Sequence, residues 1–96
     1  RLPGVALPPA LRVTADPAAL AADVVLLAVP AQALRGFLAG HRGHLGAAAP
    51  VACSKGIDLA TLEGPSRLIA EALPGARPAV LTGPSFAADI ARGLPT

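Results

Sequence analysis

Three short loops bring together the residue types that bind anions, and each loop directly follows an apolar run. The loops are residues 30–32 (PAQ), 54–56 (SKG) and 83–87 (GPSFA). A lysine supplies a positive point charge, a serine supplies a hydroxyl donor, and a glycine lets the backbone come close to a ligand. A charge, a hydroxyl donor and close backbone approach are the features that a phosphate-binding site uses. The only lysine of the chain, Lys55, lies in the second loop.

The third loop is the most informative of the three. A Gly-Pro-Ser turn stops a strand and bends the backbone, and we expect Ser85 to begin a helix as its N-cap. The free N–H groups of the first helical turn would then point at an anion above the sheet edge. Ser85 acting only as a cap is the simpler interpretation, and the two roles are compatible. Gly83 and Gly56 could likewise serve only backbone angles that other residues avoid.

The apolar runs that precede the loops predict the strands that position them. Val24, Val51 and Val80 lie in runs spaced roughly 27 to 29 residues apart, close to the length of one βαβ unit. The runs are apolar throughout, which is typical of parallel strands covered on both faces. Crossovers of one hand place the carboxyl ends of such strands on one edge, where open α/β sheets bind ligands. We therefore expect Lys55 to cluster there with Gly83.

Periodic apolar residues between the runs predict the connecting helices. Seven residues follow the i, i+3, i+4 spacing: Leu34, Phe37 and Leu38 in the first connection, and Leu68, Ile69, Ala72 and Leu73 in the second. Residues 74–75 (PG) end the second helix. Nearer the start, residues 11–14 predict a short strand, and Asp16 with Pro17 predicts the cap and first turn of a brief helix over residues 18–22. The fold class is α/β with a parallel sheet.

Composition limits the class of protein. The 96 residues are 53% apolar and include no Trp, Tyr or Met, which indicates one small domain built on aliphatic residues. A net charge of +2 with interspersed signs argues against nucleic acid. The longest apolar run, about eight residues, is too short to cross a membrane. A single cysteine suits the cytoplasm, which is the expected location. Because the chain does not begin with Met, we expect it to be a piece of a longer protein.

Three further side chains each have a functional interpretation and a simpler structural one. Cys53 ends an apolar run and is better explained as a small core residue than as a nucleophile, because Lys55 is its only obvious basic neighbour. His41 and His44 are expected in a connection after the first helix. Without a third ligand they predict no metal site.

In order and spacing, these segments resemble the NAD(P)-dependent glycerol-3-phosphate dehydrogenases of bacterial type. The resemblance covers essentially the whole chain and rests on residues 22–32 (ADVVLLAVPAQ), 54–57 (SKGI), 83–87 (GPSFA) and 91–96 (ARGLPT). The strand ending in Val-Pro is shared by several nucleotide-binding dehydrogenases. The SKGI segment followed by GPSFA is much more specific.

The resemblance implies a partial Rossmann-type doubly wound parallel sheet that lacks its first βα unit. Residues 1–96 would be the carboxyl-terminal portion of a dinucleotide-binding domain, with the helical substrate and catalytic domain absent. The strand order 3-2-1-4-5-6 makes residues 11–14 the third strand and the later runs the fourth to sixth. We expect a three-stranded core, a displaced strand at residues 11–14, and an exposed, association-prone edge along residues 24–29.

The resemblance also implies roles for five residues. Lys55 would contact both the nicotinamide cofactor and the glycerol phosphate, Gly83 and Ser85 would bind the substrate, Ala87 would lie against the cofactor, and Pro30 would flank the dinucleotide. The implied reaction passes a hydride between NAD or NADP and glycerol 3-phosphate or dihydroxyacetone phosphate, and it feeds glycerophospholipid synthesis. The parent could be a homodimer, and no residue of this chain is assigned as catalytic.

One departure from the family's pattern is the absence of a G-x-G-x-x-G, the loop that holds the pyrophosphate. The chain alone is therefore expected to be inactive and to bind NAD or NADP very weakly. Two alternatives stay open. The parent could be another Rossmann-type reductase of a small phosphorylated or carboxylated substrate, or the chain could be a non-catalytic fragment that holds part of a ligand.

Overall fold

A three-stranded parallel sheet organises the chain in the computed structural model, which describes residues 3–95. The strands are β1 (Val24–Leu27), β2 (Ala49–Ala52) and β3 (Ala79–Val80), and they lie side by side in that order. The predicted α/β class and the three-stranded parallel core are confirmed. Each strand lies within or next to its predicted apolar run. The carboxyl ends of β2 and β3 lead into the predicted loops at residues 54–56 and 83–87, although Ala87 already belongs to a helix. The loop predicted at residues 30–32 is wrong, because a helix begins at Ala31 and only Pro30 precedes it.

Helices connect consecutive strands. Helix α1 (Ala31–Leu45) joins β1 to β2, helix α2 (Pro65–Ala72) joins β2 to β3, and the short helix α3 (Ala87–Ala91) follows β3. Proline at the first position of α2 suits a helix start, and Gly75, with a φ of +87°, follows its end as predicted. Within residues 3–95, no helix is long and apolar enough to cross a membrane.

The hydrophobic core lies between the sheet and one layer formed by α1 and α2. Its eight buried apolar residues are Leu27, Leu34, Leu38, Leu45, Ala52, Leu68, Ile69 and Leu73. The predicted helical faces are confirmed, with Phe37 and Ala72 partly buried against the same cluster. A strand order of β1-β2-β3 with crossovers of one hand places both connecting helices on one side of the sheet.

The other side of the sheet is bare in the described part of the chain. Side chains alternate along the strands, so that Val25 and Leu27 of β1 face the helices while Val24 and Leu26 point away. Val24 and Leu26 are 53% and 59% exposed. The expectation that both faces are covered is therefore wrong for residues 3–95, because both connecting helices take the same side. The predicted open edge of β1 is confirmed within residues 3–95, because β1 pairs only with β2, and its tendency to associate stays a prediction.

The segment before β1 runs along the surface with little regular structure. Residues 11–14 lie outside the sheet, as expected, but they do not form the predicted strand; Leu11 and Val13 are 54% and 84% exposed. A strand needs a neighbour for its N–H and C=O groups, and no described segment pairs with this one. Asp16 caps a 3-10 helix at Pro17–Ala19 by accepting a bond from the Ala18 N–H at 3.0 Å. The cap is confirmed, whereas the helix is shorter than residues 18–22 and ends at Ala19, with Leu20 as its C-cap.

Candidate functional site

The carboxyl edge of the sheet forms a hollow of about 570 Å³ between the loops that follow β2 and β3. Lys55, Gly83 and Ser85 all line it, together with Cys53 and Thr82. The Lys55 Nζ donates a hydrogen bond to the Gly83 carbonyl oxygen at 3.2 Å and so joins the two loops. The predicted meeting of these three residues at one edge is what the structure shows.

The loop that carries Lys55 turns sharply directly after the lysine. Gly56 has a φ of +104°, in the left-handed region that side chains other than glycine rarely adopt. A Cβ at this position would lie 3.9 Å from the Ala31 Cβ at the start of α1, so space alone does not exclude a larger residue. Backbone angle therefore explains Gly56, as the simpler interpretation held. Gly83 is not among the described glycines that have a positive φ.

Ser85 does not cap a helix. Helix α3 begins one residue later than predicted, with Phe86 at the N-cap position and no side-chain hydrogen bond at the cap. The Ser85 N–H instead donates to the Gly83 carbonyl oxygen at 3.0 Å within the tight turn. The predicted capping role is wrong because Ser85 is part of the tight turn, so the helix begins one residue later than the Gly-Pro-Ser pattern suggests. The serine remains on the wall of the hollow.

Pro30 and Ala87 lie at the starts of helices rather than in the hollow. Pro30 holds the N-cap position of α1 and is exposed. Ala87 is the first residue of α3 and is also exposed. Neither is among the residues that line the hollow with Lys55. The structure thus groups the three predicted substrate residues and places these two predicted cofactor residues outside that group.

A buried hydroxyl lies beside Lys55. The Ser54 Oγ is shielded from solvent and has no hydrogen-bond partner within the described residues. Buried polar atoms are rarely left without a partner, because an unpaired one costs free energy. Ser54 is therefore a candidate polar contact for a ligand bound at the loop after β2.

Asp58 is a functional candidate that the sequence patterns missed. It is the one charged residue in the described part of the chain that is buried, at 6% exposure. Its Oδ2 accepts bonds from the Thr61 hydroxyl at 2.7 Å, the Thr61 N–H at 3.1 Å and the Arg35 Nη2 at 3.2 Å. The Thr61 hydroxyl, with help from the Arg35 guanidinium, holds the pKa of Asp58 below its ordinary value, although burial opposes the shift. The Asp-x-x-Thr spacing of a local turn was the available signal.

The pKa of Asp58 predicts a loss of stability in acid. Because the folded-state pKa is depressed, the stabilisation is complete above the ordinary value of 3.8 and is lost as the pH falls through the lower folded value. Urea unfolding of the isolated chain at several pH values between about 6 and 2 measures this. As the pH falls, Asp58→Asn should show a shallower decrease in the free energy of unfolding than the unmodified chain does. Identical decreases in Asp58→Asn and the unmodified chain would contradict the prediction.

The two histidines belong to α1 and not to a connection after it. Helix α1 continues to Leu45, so the expected loop at residues 41–44 is helical. The His41 ring stacks on Phe37 with ring centroids 4.4 Å apart, and its Nδ1 lies 2.9 Å from the Phe37 carbonyl oxygen. Within residues 3–95 no group of three potential metal ligands comes together.

The three-stranded parallel sheet with its connecting helices is consistent with a partial Rossmann-type nucleotide-binding domain. The family model described as the NAD-dependent glycerol-3-phosphate dehydrogenase N-terminus matches residues 1–96. The chain belongs to this family, as the resemblance of its loops predicted.

Curated relatives are named glycerol-3-phosphate dehydrogenase (NAD(P)+). The chain is 67% identical over 96 residues to a glycerol-3-phosphate dehydrogenase (NAD(P)+) of Paracoccus denitrificans, a match that covers 100% of this chain and 31% of the relative. It is 57% identical to the enzyme of the same name from a Ruegeria species, covering 100% of this chain and 30% of the relative. The chain thus spans about 30% of the length of these relatives.

Proposed function

We propose that this chain is the part of an NAD(P)-dependent glycerol-3-phosphate dehydrogenase that binds the phosphorylated substrate and one side of the cofactor. The observation that carries the proposal is the meeting of Lys55 with Gly83 and Ser85 across one hollow. The names of the relatives support the reaction, a hydride transfer between glycerol 3-phosphate and dihydroxyacetone phosphate.

Lys55 is suited to the substrate phosphate by its charge and its position. An ammonium group binds phosphate as a point charge with three donors, and such bonds are about twice as strong as neutral ones. In the structure one N–H of the Lys55 ammonium donates to the Gly83 carbonyl oxygen. This hydrogen bond holds the ammonium over the hollow and leaves its other N–H groups for a ligand. The Ser85 hydroxyl, on the wall of the same hollow, supplies a further donor.

The cofactor fits this chain only in part. The unpaired Ser54 Oγ supports a polar ligand at the end of β2, and Pro30, Lys55 and Ala87 are the residues that would lie against the dinucleotide. When bound, NAD or NADP supplies the hydride chemistry, and the protein supplies orientation and charge. The chain lacks a G-x-G-x-x-G, so it provides no glycine-rich pyrophosphate loop. We therefore expect the chain alone to be inactive and to bind the cofactor very weakly.

The setting of the whole protein is part of the proposal. Residues 1–96 would be the carboxyl-terminal portion of its dinucleotide-binding domain, followed by a helical catalytic domain. The enzyme would work in the cytoplasm, supply glycerol 3-phosphate to glycerophospholipid synthesis, and could be a homodimer. It would act on a small molecule and not on nucleic acid or a membrane, in keeping with the net charge of +2.

A chimeric enzyme tests the proposed function. The matching segment of the Paracoccus denitrificans relative is replaced by this chain, and dihydroxyacetone phosphate-dependent oxidation of NADH and NADPH is measured. We expect activity comparable with that of the unmodified relative, because a 67% identical segment preserves the edge and its loops. A chimera that folds, as judged by circular dichroism and gel filtration, but accepts only a different phosphorylated or carboxylated substrate would overturn the proposal.

A further inference from the structure

The loop that carries Lys55 is long and largely exposed, so its position depends on contacts with other elements of the fold. It runs from the end of β2 to the start of α2 over residues 53–64 and has little regular structure. Leu62 adopts a φ of +59°, unusual for a side chain of its size, and its N–H donates to the Asp58 carbonyl oxygen at 2.7 Å. A loop that accepts such a backbone angle is held by contacts elsewhere.

Gln32 of α1 holds this loop by its backbone. The Gln32 Nε2 donates to the Ile57 carbonyl oxygen at 2.7 Å, and the Gln32 Oε1 accepts from the Leu59 N–H at 3.1 Å. One amide side chain thus bonds both a backbone C=O and a backbone N–H, on either side of Asp58. A neighbouring β-strand would pair with the same two kinds of group. Only an amide carries both groups in this geometry.

Arg35 holds the same loop one turn further along α1. Residues three apart lie on one face of a helix, so Arg35 and Gln32 approach the loop together. The Arg35 Nη2 contacts the Asp58 Oδ2 and the Thr61 Oγ1 at 3.2 Å and 3.0 Å. Glu63 also lies within ion-pair distance of Arg35, at 3.9 Å. The loop is therefore fixed to α1 at residues 57–63.

We propose that Gln32, Arg35 and Asp58 form a clamp that positions Lys55 for the substrate phosphate. The inference rests on the proposed function. Asp58, buried at the centre of the clamp, lies three residues after Lys55, and only Gly56 and Ile57 separate them. On the other side, the Cys53 N–H is bonded to the Leu27 carbonyl oxygen at 3.1 Å. Lys55 thus lies on a short segment that is anchored at both ends. Gln32, Arg35 and Asp58 act through this segment as positioning residues.

The chimeric enzyme tests the clamp by steady-state kinetics. In Asp58→Asn and Gln32→Ala the KM for dihydroxyacetone phosphate should rise about tenfold, with a smaller change in kcat, because a displaced ammonium weakens ground-state and transition-state binding alike. Glu71→Gln is the matched control: it removes an acid that pairs at 3.2 Å with Arg67 on the exposed surface of α2, and should leave KM unchanged. If KM stays constant in both clamp variants, the clamp has no positioning role.

A double substitution separates positioning from simple stabilisation. In a Lys55→Ala background the clamp no longer has a charge to place, so Asp58→Asn should raise KM no further. A clamp that only stabilises the fold would instead lower the melting temperature and kcat by the same amount with and without Lys55, and that result would overturn the proposal. If the unmodified chimera is inactive, the proposed function is what fails.

The isolated chain gives a readout of the clamp that does not depend on activity. Lys55 is the only lysine, so ¹³C-labelled lysine supplied during expression labels this one side chain and leaves its N–H donors intact. Its NMR signal should shift on titration with glycerol 3-phosphate and not with glycerol, and the shift should weaken in Gln32→Ala but not in Glu71→Gln. Equal shifts in all three chains would count against the clamp, whatever the chimera does.

Discussion

Replacement of Lys55 by alanine in the chimeric enzyme is expected to lower kcat/KM for dihydroxyacetone phosphate by about a hundredfold, since it removes a charged donor from the phosphate. Within this chain no other lysine can take its place. Most of the loss should appear in KM, because the phosphate does not react and is bound similarly in the ground and transition states. Initial rates of NADH oxidation over a range of substrate concentrations measure both constants.

Two variants control for this prediction. Lys55→Arg keeps the charge but changes the shape of the donor group, and should recover part of the lost kcat/KM. Arg77→Ala removes a charge in the connection between α2 and β3, where Arg77 lines a separate hollow with Asp23 and Arg42, and should have little effect. A Lys55→Ala enzyme with unchanged kcat/KM would remove the basis of the proposed site.

The second large effect concerns stability. The Leu38 side chain is fully buried between α1, α2 and the sheet, at 0% exposure. Leu38→Ala should lower the free energy of unfolding of the isolated chain by about 3 kcal/mol, through lost burial and the cavity left behind. A domain of this size has only about 5 to 10 kcal/mol in total, so the change in the urea midpoint should be large.

Leu59→Ala is the matched control for Leu38→Ala. It makes the same chemical change at a side chain that is 71% exposed, on the loop before α2. The expected change in the free energy of unfolding is within about 0.5 kcal/mol. If both variants lost the same stability, the isolated chain would not contain the core described above.

The parts of the fold that could be predicted depend on repeated, local patterns. Apolar runs at near-constant spacing gave the three strands, and the i, i+3, i+4 residues gave the buried faces of α1 and α2. The meeting of Lys55 with Gly83 followed from topology, since parallel strands joined by crossovers of one hand end at the same edge. These inferences need no knowledge of side-chain contacts.

The errors arose where tertiary contacts outweigh local preference. Residues 11–14 have strand-like residues but no partner among the described segments, so they stay extended on the surface. His41 and His44 continue α1 despite glycines at positions 40 and 43, and His41 stacks on Phe37 there. Ser85 precedes the cap of α3 because the Gly-Pro-Ser turn needs all three residues. Helix and turn boundaries are decided by such contacts more than by propensity.

The clamp on the Lys55 loop could not be predicted, because its partners are far apart in sequence. Gln32 and Leu59 are separated by 27 residues, and Arg35 and Asp58 by 23. Only the packing of α1 beside the loop brings them together. The Asp-x-x-Thr spacing at Asp58 indicates a local turn but does not indicate burial, because most aspartates are exposed.

The hydrophobic core takes no residue from the two loops that line the hollow, and this separation matters for how such a protein can change. The eight buried residues of the core lie between Leu27 and Leu73, and neither residues 54–56 nor residues 83–87 contribute to them. Random variation confined to residues 83–87 would therefore explore new ligand preferences without eroding the interior. A selection library restricted to that loop should retain a high fraction of folded members, which makes this edge a natural starting point for directed evolution of substrate choice.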